Sequence, residues 1–330
     1  MRLRRKKPVT SAAGGCAYGA RNQRMKKDLI SIKDLSLKEI EEIFLLTDKL
    51  KENKQKYSQS LKGKTLALIF QKPSNRTRVS FAVGMFQLGG ISIYLGPGEI
   101  NPGVREAIKD VAQTLSRYVD GIVLRTFEHK NVVELAKYAD VPVINGLSDL
   151  SHPCQGFADL YTIREKFGSF KGKTLTYVGD GNNVTHSLLY GCAKTGLSLN
   201  IATPNKFEPD KTVFKEALDL SSVSGALIKL SNDPLKACKN ADVIYTDVWT
   251  SMGQEKEAKA RRKIFRDYQI NQKLISAAKP DCLIMHCLPA HRGEEITDAV
   301  IDSPNSIVFD QAENRLHAQK AILLKLLGGI

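Results

Sequence analysis

No apolar run in this sequence approaches the ~20 residues a membrane-crossing helix needs, which argues against a spanning protein. The N-terminal region carries no apolar stretch of the signal-peptide kind, so secretion is not expected. Cysteine is sparse: Cys16, Cys154, Cys192, Cys238, Cys282 and Cys287 form no C-x-x-C pair and no Cys/His cluster at zinc-finger spacing. A reduced, intracellular compartment fits that usage. Residues 1–27 contain no acid at all, yet hold nine Lys or Arg. The remainder carries 40 basic and 35 acidic side chains, so most of the net charge of +14 belongs to the tail. The body is near neutral, and no nucleic-acid partner is expected of it.

At 330 residues the chain should form about two domains. It is long enough to bury a sizeable core without disulfide or metal staples. Residues 1–24 read as a basic extension expected to be disordered, and an upstream start codon would account for it. An organelle transit peptide is the alternative.

From residue 36 the chain is strongly patterned. Ser36 and Glu39 make an S-x-x-E capping box, and Leu37, Ile40, Phe44 and Leu45 follow at helical spacing, predicting a helix over 36–54. Short apolar runs then alternate with helical stretches. The runs are 65–70, 91–95, 121–125, 141–144, 174–178, 199–202, 226–230, 243–246, 282–286 and 306–309. This predicts an α/β fold of two domains, each a parallel sheet flanked by helices. Lys62-Gly63-Lys64-Thr65-Leu66 is echoed by Lys171-Gly172-Lys173-Thr174-Leu175, each opening one series. The boundary is placed after residue 167, with 155–167 as a connecting helix.

Ligands of open α/β sheets bind beyond the carboxyl ends of the strands. Pro73-Ser74-Asn75-Arg76-Thr77-Arg78 follows the first strand and precedes a helical pattern over 79–88. Free backbone N–H groups, hydroxyls and a planar guanidinium there suit a phosphate. It is not a P-loop, for the glycines are missing. Arg125 ends another strand; alone it would read as a surface residue or an ion pair. His152-Pro153-Cys154-Gln155 places two potential donors on one turn, with a helix-capping His as the equal alternative. Gly179-Asp180-Gly181 opens like a dinucleotide fingerprint but has Val184 at the third glycine position and no ribose-binding acid. Asn183 could instead hold a polar small molecule. Asp247 at a strand end suits an amine. The polar stretch 254–267 reads as a lid hinged near Gly253, or simply as a solvated loop. Cys287 has His286 beside it, but neighbours on a strand face opposite ways, so a covalent thioester is disfavoured. Arg315, expected in the first turn of the C-terminal helix, could reach an anion or pair with Glu313.

Taken in order, these segments resemble the ornithine carbamoyltransferases of the aspartate/ornithine carbamoyltransferase superfamily. The resemblance runs from about Met25 to Ile330. The Ser-x-Arg-Thr-Arg and His-Pro-x-Gln motifs are shared across the superfamily; Asp247 with Ser251-Met252-Gly253, and His286-Cys287-Leu288-Pro289, belong to the ornithine branch. The resemblance implies that Ser74, Asn75, Arg76 and Thr77 hold the phosphate of carbamoyl phosphate. It implies that Arg125, His152, Gln155, Cys287, Leu288 and Arg315 surround its carbamoyl group. Asn183, Asp247, Ser251 and Met252 would bind L-ornithine, with Arg76, Arg125, His152, Asp247 and Cys287 as the catalytic set. It further implies two domains facing across a cleft, a last helix that crosses back to the first domain, a homotrimer, arginine biosynthesis, and no metal or organic cofactor. The cytoplasm is the expected location, or the mitochondrial matrix if the tail is a transit peptide. Two positions depart from the family pattern. Asn75 stands where Thr is usual. Asn101 stands where a Gln reaches a neighbouring subunit's site, and is one methylene shorter.

Overall fold

The computed structural model describes residues 27–328; the basic extension and Cys16 lie outside them. The first sheet contains β1 (Thr65–Phe70), β2 (Ile91–Leu95), β3 (Gly121–Arg125) and β4 (Val143–Leu147), in the order β2-β1-β3-β4. The second contains β5 (Thr174–Val178), β6 (Ser198–Ala202), β7 (Ile228–Ser231), β8 (Val243–Thr246) and β9 (Leu283–His286), in the order β7-β6-β5-β8-β9. Every pairing is parallel, as the alternating pattern predicts. The helices are α1 (Leu37–Glu52), α2 (Asn75–Gln87), α3 (Ile108–Leu115), α4 (His129–Tyr138), α5 (Pro153–Phe167), α6 (Asn183–Thr195) and α7 (Lys211–Ser224). Then come α8 (Pro234–Cys238), α9 (Ala258–Phe265), α10 (Gln272–Ile275), α11 (Asp298–Ile301) and α12 (Val308–Leu327).

The echoed pentapeptides prove to be one structural device used twice. Gly63 and Gly172 take φ of +78° and +71°, a region in which glycine bears no Cβ penalty. The next lysine and the strand's first N–H then converge on one carboxylate. Lys64 Nζ and the Thr65 N–H donate to Asp120 at 2.8 and 2.9 Å; Lys173 Nζ and the Thr174 N–H donate to Asp242 at 3.3 and 2.9 Å. Asp120 immediately precedes β3 and Asp242 immediately precedes β8, the strands beside β1 and β5. The pairing that follows is equivalent in the two sheets, Leu66 with Gly121 and Leu175 with Val243.

Helix α1 starts at the expected capping box, with Ser36 Oγ accepting from the Glu39 N–H and the Glu39 carboxylate accepting from the Ser36 N–H. Helix α5 joins the two sheets, buried along its first eleven residues, and ends at Gly168 in the left-handed region. It lies close against α6 because both contribute glycine at the contact. A Cβ on Gly191 would come within 2.4 Å of Leu160 Cδ1, and one on Gly156 within 3.1 Å of Ser187 Cβ. Helix α12 packs against α5, α1 and α2, so the chain's last helix returns to the first sheet's helices. One continuous apolar cluster therefore holds residues of both sheets, from Leu29 and Leu66 to Leu199 and Met285.

The structure departs from expectation in several places. The run 306–309 is not a strand. Ser306 makes a single bridge to Ile284, and α12 begins at Val308, because only two backbone bonds to β9 form before the chain turns helical. Helix α2 begins at Asn75 rather than 79, so the polar motif is the helix's own first turn. Arg315 lies two turns into α12, not in its first. The stretch 254–267 is largely helical, its pattern hidden because Arg261 is one of its two buried anchors, with Phe265. Strand β4 runs later than 141–144, ending at Leu147. No helix among the described residues is long and apolar enough to cross a membrane.

Candidate active site

A cleft of about 730 Å³ opens at the carboxyl ends of both sheets. Its walls come from the segments after β1, β3, β4, β5, β8 and β9, together with Arg315 from α12. Every candidate residue named above lines it except Asn101. Asn101 lies in the 96–107 loop, where its Oδ1 accepts from Gln71 Nε2 at 2.7 Å.

One end of the cleft is built for an anion. Ser74 caps α2, its Oγ accepting from the Thr77 N–H at 3.2 Å. Asn75 spends its side-chain oxygen on the Arg76 N–H at 2.6 Å, a group that would otherwise face a ligand. Three guanidinium groups converge behind this turn. Arg315 is held by Gln155 Oε1 at 2.7 Å and Thr77 Oγ1 at 2.6 Å, which ties α12 to α5 and α2. Arg125 is 5 % exposed, and its Nε has no hydrogen-bond partner among the described residues. Burial, then the nearby Arg315 and Arg76, pull its pKa down to about 9. Burial also lowers Arg76 and Arg315. His152 is driven well below the ordinary histidine range by burial and then by the same three arginines, so it is neutral at pH 7. Its backbone N–H donates to Ser187 Oγ at 2.9 Å, while its Nδ1 is buried without a partner among the described residues. It occupies the N-cap position of α5, but its side chain makes no capping bond, which answers the capping alternative.

Gln155 Nε2 donates to Asp159 Oδ1 at 2.7 Å, and Gln311 Nε2 donates to the same oxygen at 2.7 Å. Tyr245 OH donates to Asp159 Oδ2 at 3.2 Å. Burial pushes Asp159 up to about 7 against the pull of these donors. This acid turns the Gln155 amide so that its oxygen faces Arg315. Asp159 escaped the sequence reading, although its place one helical turn after Gln155 was a usable signal. Lys72 was missed as well; it is buried in the cleft wall with Nζ 4.1 Å from the Phe127 ring centroid.

The other end suits an amine. Asp247 Oδ1 accepts from the Val248 N–H at 2.8 Å and the Cys287 thiol at 3.0 Å, while Oδ2 accepts from Asn182 Nδ2 at 2.8 Å. Burial, then the charge of Asp247, push the Cys287 thiol well above its ordinary range, so it is a thiol and not a thiolate. His286 cannot serve it as a base. Its Nδ1 accepts from the Leu288 N–H at 2.9 Å, and its Nε2 meets Glu295 Oε1 at 3.0 Å. With both ring nitrogens occupied, His286 also has none to offer a metal, although it lies near Asp247 and Cys287. Asn183 Nδ2 donates to the Ser148 carbonyl at 2.5 Å across the cleft floor. The Ser251 N–H is held by Gln254 Oε1 at 3.1 Å, and Met252 is largely exposed at the rim. Arg315 makes no ion pair with Glu313, which sits instead 3.2 Å from His317.

Fold and site together define a two-lobed α/β protein whose cleft pairs an anion pocket with an amine pocket. Residues 27–165 match the family model for the aspartate/ornithine carbamoyltransferase carbamoyl-P binding domain, and residues 171–326 match that for the Asp/Orn binding domain. The chain belongs to the aspartate/ornithine carbamoyltransferase family. It is 56% identical over 306 residues to the ornithine carbamoyltransferase of Thermococcus kodakarensis, covering 92% of this chain and 97% of that one. It is 57% identical over 307 residues to the anabolic ornithine carbamoyltransferase of Pyrococcus furiosus, covering 92% and 97%. A solved Pyrococcus furiosus ornithine carbamoyltransferase superposes with a TM-score of 0.90 at 56% identity, covering 92% of this chain and 98% of that one.

Proposed function

We propose that this protein is an ornithine carbamoyltransferase, moving the carbamoyl group of carbamoyl phosphate to the δ-amine of L-ornithine to give L-citrulline and phosphate. The observation that carries the reading is the pairing of three buried or half-buried guanidinium groups, without a counter-anion among them, with the Asp247–Cys287 pair across one cleft. Residues 25–167 act as the donor-binding half and 168–330 as the acceptor-binding half. Relatives named ornithine carbamoyltransferase at 50–57% identity, one of them named anabolic, support the acceptor and a role in arginine biosynthesis. Bacterial and archaeal relatives support a cytoplasmic location.

Ser74, Asn75, Arg76 and Thr77 bind the phosphate, and Asn75 releases the Arg76 N–H to it. Arg125, His152 and Arg315 surround the carbonyl oxygen. Gln155, with its oxygen turned inward, and the Cys287-Leu288 backbone receive the carbamoyl N–H2. Asp247 attracts the δ-ammonium, and Ser251, Met252 and Asn183 seat the amino-acid end. The free amine attacks the carbonyl carbon and a tetrahedral oxyanion forms. The C–O bond to phosphate then breaks, and the phosphate carries away the proton. Fixed guanidinium groups stabilise the oxyanion without reorganising. Holding both reactants in one cleft supplies the proximity contribution. An amine with pKa near ~10 is mostly protonated at pH 7, so the rate rises with pH as free amine grows. Asn101 reaches a neighbouring subunit's site in a homotrimer, once Gln71 lets it go.

Initial rates with carbamoyl phosphate and L-ornithine, aspartate, putrescine or N-acetylornithine test the assignment. Citrulline formation should dominate. A faster rate with any other amine would overturn it.

A further inference from the structure

Arg261 lies outside the cleft, on α9, and is 4 % exposed. Its Nη2 donates to Asp180 Oδ2 and its Nε to the carbonyl of Trp249. The guanidinium carbon sits 4.8 Å from the Phe207 ring centroid and 5.3 Å from that of Phe265, and Phe265 also stacks on Trp249 at 5.9 Å and 27°. The two groups it grips belong to different loops. Asp180 follows β5 and lies two residues before Asn182, whose amide holds Asp247. Trp249 follows β8 and lies two residues after Asp247 and two before Ser251. One side chain thus fastens both loops that carry the acceptor-side residues. A second direct link between those loops is the 2.8 Å hydrogen bond from Asn182 to Asp247.

We propose that Arg261 is a positioning residue that fixes the spacing of the Asp180–Asn183 and Asp247–Met252 loops and thereby sets affinity for the amino-acid acceptor while leaving the donor pocket alone. The inference rests on the carbamoyl-transfer reading above. The planar fork suits the task, since it spans a carboxylate and a carbonyl at once in a fixed geometry. Lysine cannot reproduce that fork. The phosphate-binding part of the donor pocket is built on α2, β3, α5 and α12, none of which Arg261 touches. Its fifth contact, Glu257 at 3.5 Å, belongs to the same polar stretch.

Steady-state kinetics of Arg261→Met and Arg261→Lys test this, with phosphate binding measured separately by calorimetry. The expected result is a KM for ornithine raised roughly 10–100-fold in Arg261→Met, the scale at which a displacement of about 1 Å acts. The phosphate Kd should stay within about twofold, and Arg261→Lys should fall between. Trp249 is the chain's single tryptophan, so its emission gives an independent reading. With phosphate saturating, L-norvaline, which is ornithine without its δ-amine, should titrate Trp249 emission with a Kd weakened by the same factor. In a cycle with Asp180→Asn, the effects on ornithine KM should be non-additive. A KM within about twofold of wild type, or a phosphate Kd weakened as much as the ornithine KM, would overturn the proposal. If the wild-type protein carbamoylates no ornithine, the functional reading itself has failed; if it does and Arg261→Met keeps its KM, only the positioning role has.

Discussion

Replacing Arg125 with methionine should make the unliganded protein more stable and catalytically inert at once. Arg125 is desolvated at the end of β3, near Arg315 and Arg76, and its buried Nε has no hydrogen-bond partner among the described residues to offset that burial. A fall in pKa from 12.5 to about 9 corresponds to roughly 5 kcal/mol acting against the charged form. Arginine stays protonated near neutrality, so the folded state bears that energy until an anion arrives. Replacing buried ionic groups by apolar ones of similar volume gains ~1–4 kcal/mol in other proteins, a smaller figure because the surroundings relax. At ~2–4 °C per kcal/mol, the ligand-free melting temperature should rise by about 5 °C. Bound phosphate at a hundredfold excess over Kd should stabilise the wild type by ~2.7 kcal/mol and the variant by much less. Turnover should fall by ~10²–10³-fold or more, as when an oxyanion donor is removed. Differential scanning fluorimetry with and without phosphate, alongside initial rates, measures all three. A variant that melts lower than wild type without phosphate, or that keeps its phosphate-induced shift, would refute the argument that the pocket is held ready at the expense of stability.

Two further perturbations test the protonation states. The half-buried Cys287 thiol beside Asp247 should react with iodoacetamide at pH 8 at least ~10-fold more slowly than a free thiol, since only the thiolate attacks. Asp247→Asn should speed that alkylation, read at Cys287 by mass spectrometry; a wild-type rate equal to that of a free thiol would contradict it. His317 is held near pKa 4 by burial and then Lys320, so below about pH 6.5 the unfolded chain binds a proton that the folded one refuses. Its contribution to stability therefore falls as pH drops from 6.5 towards 4. His317→Gln should match wild type at pH 8 and exceed it by up to roughly 2 kcal/mol at pH 5, measured by urea unfolding.

Most strands were legible because a strand buried on both faces reads as a short apolar run between turn residues. The capping box at Ser36 was legible because its chemistry is local. The run 306–309 misled because an apolar tetrapeptide suits a strand end and a helix start alike. The helix over 258–265 was hidden because one of its buried anchors is an arginine, which polarity assigns to solvent.

By itself the sequence determined which residues end strands, and hence which would stand at the carboxyl edges of the two sheets, since that placement follows from alternation and turn chemistry along the chain. Only the tertiary structure decided how those residues meet. Arg315 touches Thr77 across 238 positions of sequence and Gln155 across 160, because α12 folds back over α2 and α5. Arg261 joins Asp180 to Trp249 through contacts that no local pattern encodes. Burial, a property of the assembled molecule, then leaves His152 neutral, Cys287 protonated and Arg125 poised for an anion. Residue type supplies the titrating group, but the depth at which packing places it selects its charge state.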